Sequence, residues 1–218
     1  MSIITIERSV LEKNDQVAEQ NRAILRSHGV FTCNLLSSPG AGKTLFIERL
    51  LETLRGACRI AVIEGDVQTS LDAERIERFG IPTVQIVTRG GCHLDALLVR
   101  QAMTQIAVGE IDLLIIENVG NLVCPSGYDL GEEMKIVVSA ITEGEDKPLK
   151  YPAAFRNASA LLINKIDLAA HVPCDPAVLR SHALSVNPAL SVFDISALTG
   201  AGVDEVGRWL LGQIPRRA

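Results

Sequence analysis

The sequence predicts an α/β fold, a three-layer αβα arrangement around a mostly parallel sheet of about seven strands. Three observations predict it. Short apolar runs alternate with stretches of helical period along the chain. The first run leads through a loop of small residues directly into a helix. Two later runs, LLIIE and ALLIN, end on Glu117 and Asn164, polar residues at the sheet edge where such folds bind ligands.

Taken in order, residues 10–28 form the first helix, with Val17, Ala18, Ile24 and Leu25 in a loose stripe and Gly29 as its stop. FTCNLLS (31–37) is a buried strand, and 43–55 a helix with Leu45, Phe46, Ile47, Leu50, Leu51 and Leu54 towards one side. A strand at 58–64, a helix near 70–79 ended by Gly80, and a strand at 83–87 follow. Next come a helix at 93–108, the strand LLIIE (113–117), an apolar run at 134–141 and the strand ALLIN (160–164). A helix at 175–185, a strand at 190–195 and a helix at 203–213 complete the pattern. Residues 142–157 read as a long charged loop, a partner surface or a mobile lid.

Composition agrees. Of 218 residues, 47% are hydrophobic and 22% charged, near globular averages. One domain over residues 1–218 is expected. A formal charge of −5 argues against a general nucleic-acid binder. No uninterrupted apolar stretch reaches the roughly 18 residues of a membrane span. The opening MSIITIERSVLEKND has no apolar core of signal-peptide length, so a soluble cytoplasmic protein is expected. The cysteines, Cys33, Cys58, Cys92, Cys124 and Cys174, are odd in number and form no CxxC, against a disulfide framework. Cys33 and Cys58, inside apolar runs, are expected to be buried.

The loop Ser37-Ser38-Pro39-Gly40-Ala41-Gly42-Lys43-Thr44 lies between a strand and a helix, the context of a P-loop. Small residues let backbone N–H groups approach phosphate oxygens, and the helix N-terminus adds partial positive charge. Lys43 can reach the β- and γ-phosphates and the Thr44 hydroxyl can ligate Mg²⁺. Ser37 stands where the consensus has glycine, so a slightly different turn is expected. Asn164-Lys165-Ile166-Asp167 has the NKxD pattern of a guanine reader: Asp167 can accept from guanine N1–H and NH₂, a donor pair adenine lacks. Ser196-Ala197-Leu198 resembles a further base-contacting loop. For magnesium, the candidates beside Thr44 are Asp66 and Glu117, where Walker B strands usually end in Asp. Asp72 is a candidate to order a water for attack or to join the metal shell, with a first-turn helix carboxylate as the alternative reading.

Cys92 and His93 follow Gly90-Gly91 and enter a helix, where the dipole would lower a thiol pKa and disfavour imidazolium. With Cys124 they are soft and borderline metal ligands. A buried cysteine with a capping histidine is the alternative reading. Three ligands leave a tetrahedral shell open, to be closed by a twofold partner or a small molecule.

Ser-Pro-Gly-Ala-Gly-Lys-Thr, Glu-Gly-Asp-Val, Cys-His-Leu-Asp-Ala, Ile-Glu-Asn-Val-Gly-Asn-Leu-Val-Cys-Pro and Asn-Lys-Ile-Asp occur in that order. Together they resemble the HypB family, GTPases that assist nickel insertion into nickel–iron hydrogenases, from about residue 10 onward. The resemblance implies a SIMIBI-type P-loop NTPase fold, related to the MinD and signal-recognition GTPases, and slow hydrolysis of GTP to GDP. It implies a homodimer favoured by GTP, with Ni²⁺ or Zn²⁺ on Cys92, His93 and Cys124 across its interface, and Asp66 and Asp72 in the segment contacting Mg²⁺ and water. The implied partners are HypA and the hydrogenase large-subunit precursor, with no nucleic acid and no membrane. The related urease-directed GTPases carry Cys-Pro-His, whereas Ser126 follows Pro125 here. The four histidines form no nickel-storing tract, and Ser38 replaces the signature lysine of some relatives. Two rival readings are a GTP-dependent binding module with structural cysteines and an ATP-using kinase or dethiobiotin-synthase-like enzyme of the same fold class, against which Asp167 speaks.

Overall fold

FTCNLLS is apolar along most of its length and so needs cover on both faces; every residue of strand β1 (Phe31–Ser37) is buried. The structure, a computed structural model, describes residues 6–68 and 71–215. Around β1 the chain builds α1 (Ile6–Ser27), α2 (Lys43–Thr53), β2 (Ile60–Asp66), α3 (Leu71–Glu77), β3 (Thr83–Val87), α4 (Ala96–Met103) and β4 (Leu113–Glu117). It continues through β5 (Met134–Ala140), α5 (Lys147–Lys150), α6 (Pro152–Arg156), β6 (Ala160–Asn164), α7 (Pro176–Val186), β7 (Ser191–Asp194) and α8 (Val203–Leu211). The seven strands run in the order β3-β2-β4-β1-β5-β6-β7, and all their pairings are parallel.

Strand side chains alternate between faces, and the core divides accordingly. Cys33, Leu35, Val62, Ile115 and Ile136 face α2 and α8 through Phe46, Leu50, Val206 and Leu210. On the opposite face Ile63, Leu114 and Ile116 meet Leu25, Val99 and Met103 from α1 and α4. Beyond β1, Val137, Leu161 and Ile163 meet Phe155, Leu179 and Ala183. These are the three layers the sequence predicts. Among the described residues no helix is long and apolar enough to cross a membrane.

Three expectations change. The second strand is displaced two residues along the chain, to Ile60–Asp66, so Asp66 ends the strand. Residues 142–157 are not a structureless loop: they contain α5 and α6, which bury Pro148, Ala154 and Phe155. A proline sits in the first turn of each helix, where its missing N–H loses no helical bond, so proline here starts helices. Cys33 is buried as expected but Cys58 only half-buried; burial pushes their thiols up to about 12 and about 11.

Helix α1 is fixed by buried amides as well as apolar contact. Asn21 Nδ2 donates to the Ala96 and Leu130 carbonyls at 2.8 and 2.9 Å. Asn14 accepts from Ala96 N at 2.9 Å and donates to Asp129 O at 2.7 Å. Gly131 makes the close approach possible: a Cβ there would stand 2.6 Å from Asn21 Cβ. Asn21→Ala would remove a partner from two carbonyls at a fully buried site, costing about 2–3 kcal/mol. Urea unfolding measures it, and a loss under about 0.5 kcal/mol would contradict this role for Asn21.

Candidate functional site

The carboxyl ends of β1, β2, β4 and β6 meet at one sheet edge. A cavity of about 390 Å³ opens there, lined by Gly40, Gly42, Lys43 and Thr44 on one side and Asp66, Asp72 and Glu117 on the other. The P-loop geometry follows from its residues. Gly40 and Gly42 take positive φ, 72° and 96°, and a Cβ on Gly42 would stand 2.6 Å from Asn164 Nδ2. Helix α2 begins at Lys43 with no side-chain cap; its first-turn N–H groups are the donors a phosphate would take. Ser37 closes β1 without positive φ, so serine in place of the consensus glycine brings no backbone strain.

Lys43 Nζ donates to Ser37 Oγ at 2.8 Å and lies 4.0 Å from Glu117 Oε1. Thr44 Oγ1 donates to the same carboxylate oxygen at 2.8 Å. Glu117 Oε2 is buried and has no hydrogen-bond partner among the described residues. Burial pushes the Glu117 carboxyl up to about 7, against the pull of Lys43 and Thr44. An orphaned buried oxygen beside the Thr44 hydroxyl suits magnesium, which prefers oxygen ligands and few carboxylates.

Sequence reasoning missed Glu64. Its carboxylate lies within 4.8 Å of those of Asp66 and Asp72, and it pairs in register with Glu117 on β4. Burial, then the Glu117 charge, push its carboxyl up to about 8, although Gln85 Nε2 donates to it. The available signal was an acid inside the apolar run IAVIEGD, on the same strand face as Asp66. Asp66 Oδ1 accepts from Gln68 N at 2.7 Å, and Asp72 pairs with Arg75 at 3.2 Å. Thr69 and Ser70, between these acids, lie outside the described residues.

Asn164 joins the loops of the site. Its Nδ2 donates to Ala41 O at 2.7 Å and its Oδ1 accepts from Ala197 N at 3.0 Å. Lys165, left-handed at φ 65°, donates to Gly40 O at 2.8 Å. Asp167 accepts from the Ser196 hydroxyl. Arg49 holds the carbonyls of Ala197 and Leu198 at 3.2 and 3.4 Å. The structure thus gathers Asn164, Lys165, Asp167 and Ser196–Leu198 at the P-loop. Another lysine arrives unforeseen: Lys147 of α5 donates to Ser38 Oγ at 3.0 Å, so an ammonium reaches this loop position from elsewhere in the chain.

The ligand atoms of Cys92, His93 and Cys124 all lie within 4.8 Å of one another. Cys92 Sγ is 3.5 Å from His93 Nδ1, and the His93 ring stacks on Tyr128 at 4.0 Å between centroids. The expectation of a helix N-terminus here is corrected: α4 starts at Ala96, and Asp95 caps it by accepting from Leu98 N at 2.8 Å. Cys92 and His93 precede the helix. A hydrogen bond with Cys124, then burial, raise the Cys92 pKa. Burial lowers that of His93 against the pull of Asp95, leaving the neutral imidazole a metal needs. Two sulfurs and one nitrogen fit a soft or borderline ion.

The family model for the CobW/HypB/UreG nucleotide-binding domain matches residues 31–194. A Hydrogenase maturation factor HypB of Rhizobium leguminosarum bv. viciae is 47% identical over 99% of this chain and 72% of its own length. The chain belongs to the HypB family. Two solved HypB structures are similar to it. That of the Archaeoglobus fulgidus hydrogenase maturation factor superposes with a TM-score of 0.88 at 38% identity, covering 94% of this chain and all of the other. That from Helicobacter pylori, in complex with nickel, gives 0.87 at 36% identity, covering 92% of this chain and 94% of the other.

The Glu64 and Glu117 carboxyls have raised pKa values in the fold, so the native state binds protons that the unfolded chain has released. Their contribution to stability is full below about pH 4 and is lost as pH rises through about 7 and 8. Unfolding of the protein free of metal and nucleotide should show stability falling over that range, by at most about 1.4 kcal/mol per pH unit for each group. Glu64→Gln should flatten the fall; an unchanged slope would contradict the assignment.

Proposed function

We propose that this HypB family member is a single-domain GTPase, over residues 1–218, that carries nickel for nickel–iron hydrogenase maturation and changes its hold on the metal with its nucleotide. The observation carrying this reading is the loop from Glu117 to Cys124: it starts at the carboxylate that accepts from the P-loop Thr44 hydroxyl and ends in the cysteine–histidine cluster.

Lys43 and the first-turn amides of α2 would hold the β- and γ-phosphates. Asp167 would accept from the guanine edge, with Asn164, Lys165 and Ser196–Leu198 fixing its loop. Thr44, Asp66 and Glu117 would hold Mg²⁺, which supplies positive charge against the γ-phosphate oxygens. Asp72 would accept from the attacking water, with the Asp66 carboxylate within 4.8 Å of its own. Cys92, His93 and Cys124 would take the cargo, Ni²⁺ or Zn²⁺. Leu97 and Val123, each more than half exposed beside these ligands, offer apolar surface that a second copy would cover in a GTP-bound homodimer. HypA and the hydrogenase large-subunit precursor are the proposed protein partners, in the cytoplasm.

Calorimetric titration tests both halves. Asp167→Asn should weaken GDP binding by about a hundredfold, through loss of a charged acceptor for two donors, and leave ATP binding equally weak. Cys124→Ala should weaken Ni²⁺ or Zn²⁺ binding by about tenfold or more without changing GDP affinity. ATP binding as tightly as GTP, or unchanged metal affinity in Cys124→Ala, would overturn the reading.

A further inference from the structure

A line of buried amides runs between the nucleotide cavity and the metal cluster. Asn118 follows Glu117, lines the cavity and is buried. Its Oδ1 accepts from Leu94 N at 3.1 Å and from Val119 N at 3.0 Å. Its Nδ2 donates to Asn34 Oδ1 at 3.2 Å. Asn34 Nδ2 donates to Glu132 Oε1 at 3.3 Å, and Glu132 Oε2 accepts from Leu130 N at 2.7 Å.

The branches end at the Leu94 and Leu130 amides, on either side of the His93–Tyr128 ring pair. Leu94 follows His93, and Leu130 lies two residues after Tyr128, on which the His93 ring stacks. The Leu94 side chain also packs on the acidic strand: a Cβ added to Gly65, between Glu64 and Asp66, would stand 2.8 Å from Leu94 Cδ1. The chemistry selects asparagine at position 118. Two backbone N–H groups need an acceptor while the Asn34 oxygen needs a donor; aspartate lacks the donor and leucine lacks both. A buried network in which each of these side-chain polar atoms has a partner has few alternative arrangements, so a shift of the strand end carrying Glu117 must be taken up along it.

We propose that Asn118 is the positioning residue that passes the state of the nucleotide cavity to the metal cluster, directly through Leu94 and indirectly through Asn34, Glu132 and Tyr128. This rests on the nucleotide-gated metal carrier described above and names the residue through which the gating acts.

The test is the ratio of Ni²⁺ dissociation constants in the presence of GDP and of a non-hydrolysable GTP analogue. In the unaltered protein the ratio should differ from one by about fivefold or more, and Ni²⁺ should change nucleotide affinity by the same factor. Asn118→Ala should bring the ratio within about twofold of one. Asn34→Ala, which cuts one branch away from both sites, should give an intermediate ratio. A purely structural role would weaken each affinity and leave the ratio unchanged. A ratio in Asn118→Ala equal to that of the unaltered protein overturns this inference and leaves the carrier reading standing. A ratio of one in the unaltered protein overturns both. Hydrogen exchange at the Leu94 amide keeps the test independent of variant folding: its rate in the unaltered protein should differ about tenfold or more between nucleotide states. Equal rates would overturn the inference.

Discussion

The parallel pairing of β1 with β4, Leu35 opposite Glu117, is the constraint on which the site depends. It sets the end of an acidic strand beside the start of the phosphate loop, so Thr44 and Glu117 meet without any long side chain reaching across. It also makes the loop after β4 run alongside the loop after β1, where Ser37 and Asn121 form an isolated bridge. Asn121 in turn donates to the Cys92 carbonyl at 3.4 Å. The placement of the phosphate loop, of Glu117 and of the loop that leads to Cys124 follows from one strand register, which a one-residue slip would dismantle.

That register concentrates acids in a place that disfavours them. Glu64 and Glu117 sit opposite each other on neighbouring strands, both buried, with Asp66 and Asp72 close by. Lys43 and Arg75 offset part of the charge. Burial, with the remaining like-charge crowding, raises the Glu64 and Glu117 carboxyl pKa values, the pattern of a functional site held at some expense of stability.

Much of the fold was legible because its strands are strongly patterned. The P-loop, Asn164–Asp167 and Glu117 occupy strand ends, and a strand end is where periodicity is easiest to read. Local pattern failed where distant contacts decide. Charge and two prolines disguised α5 and α6; Ala154 and Phe155 of α6 pack with Leu179 and Ala183, far along the chain. Glu64 was passed over because strand periodicity assigns it to the core and only the register with β4 shows its neighbours. The Cys92 thiol was misread because its environment is set by Cys124, not by the helix that follows. Tyr128 and Asn118 have no local signal: their roles come from the residues that folding brings against them.

The central claim is that nucleotide and metal act on one assembly. Sedimentation equilibrium of the unaltered protein with Ni²⁺, in GDP and in a non-hydrolysable GTP analogue, tests it most directly. The account predicts a metal-bound dimer with the analogue and a lighter species, holding Ni²⁺ with a different affinity, with GDP. A nucleotide-bound monomer that takes up no metal in either state would contradict it.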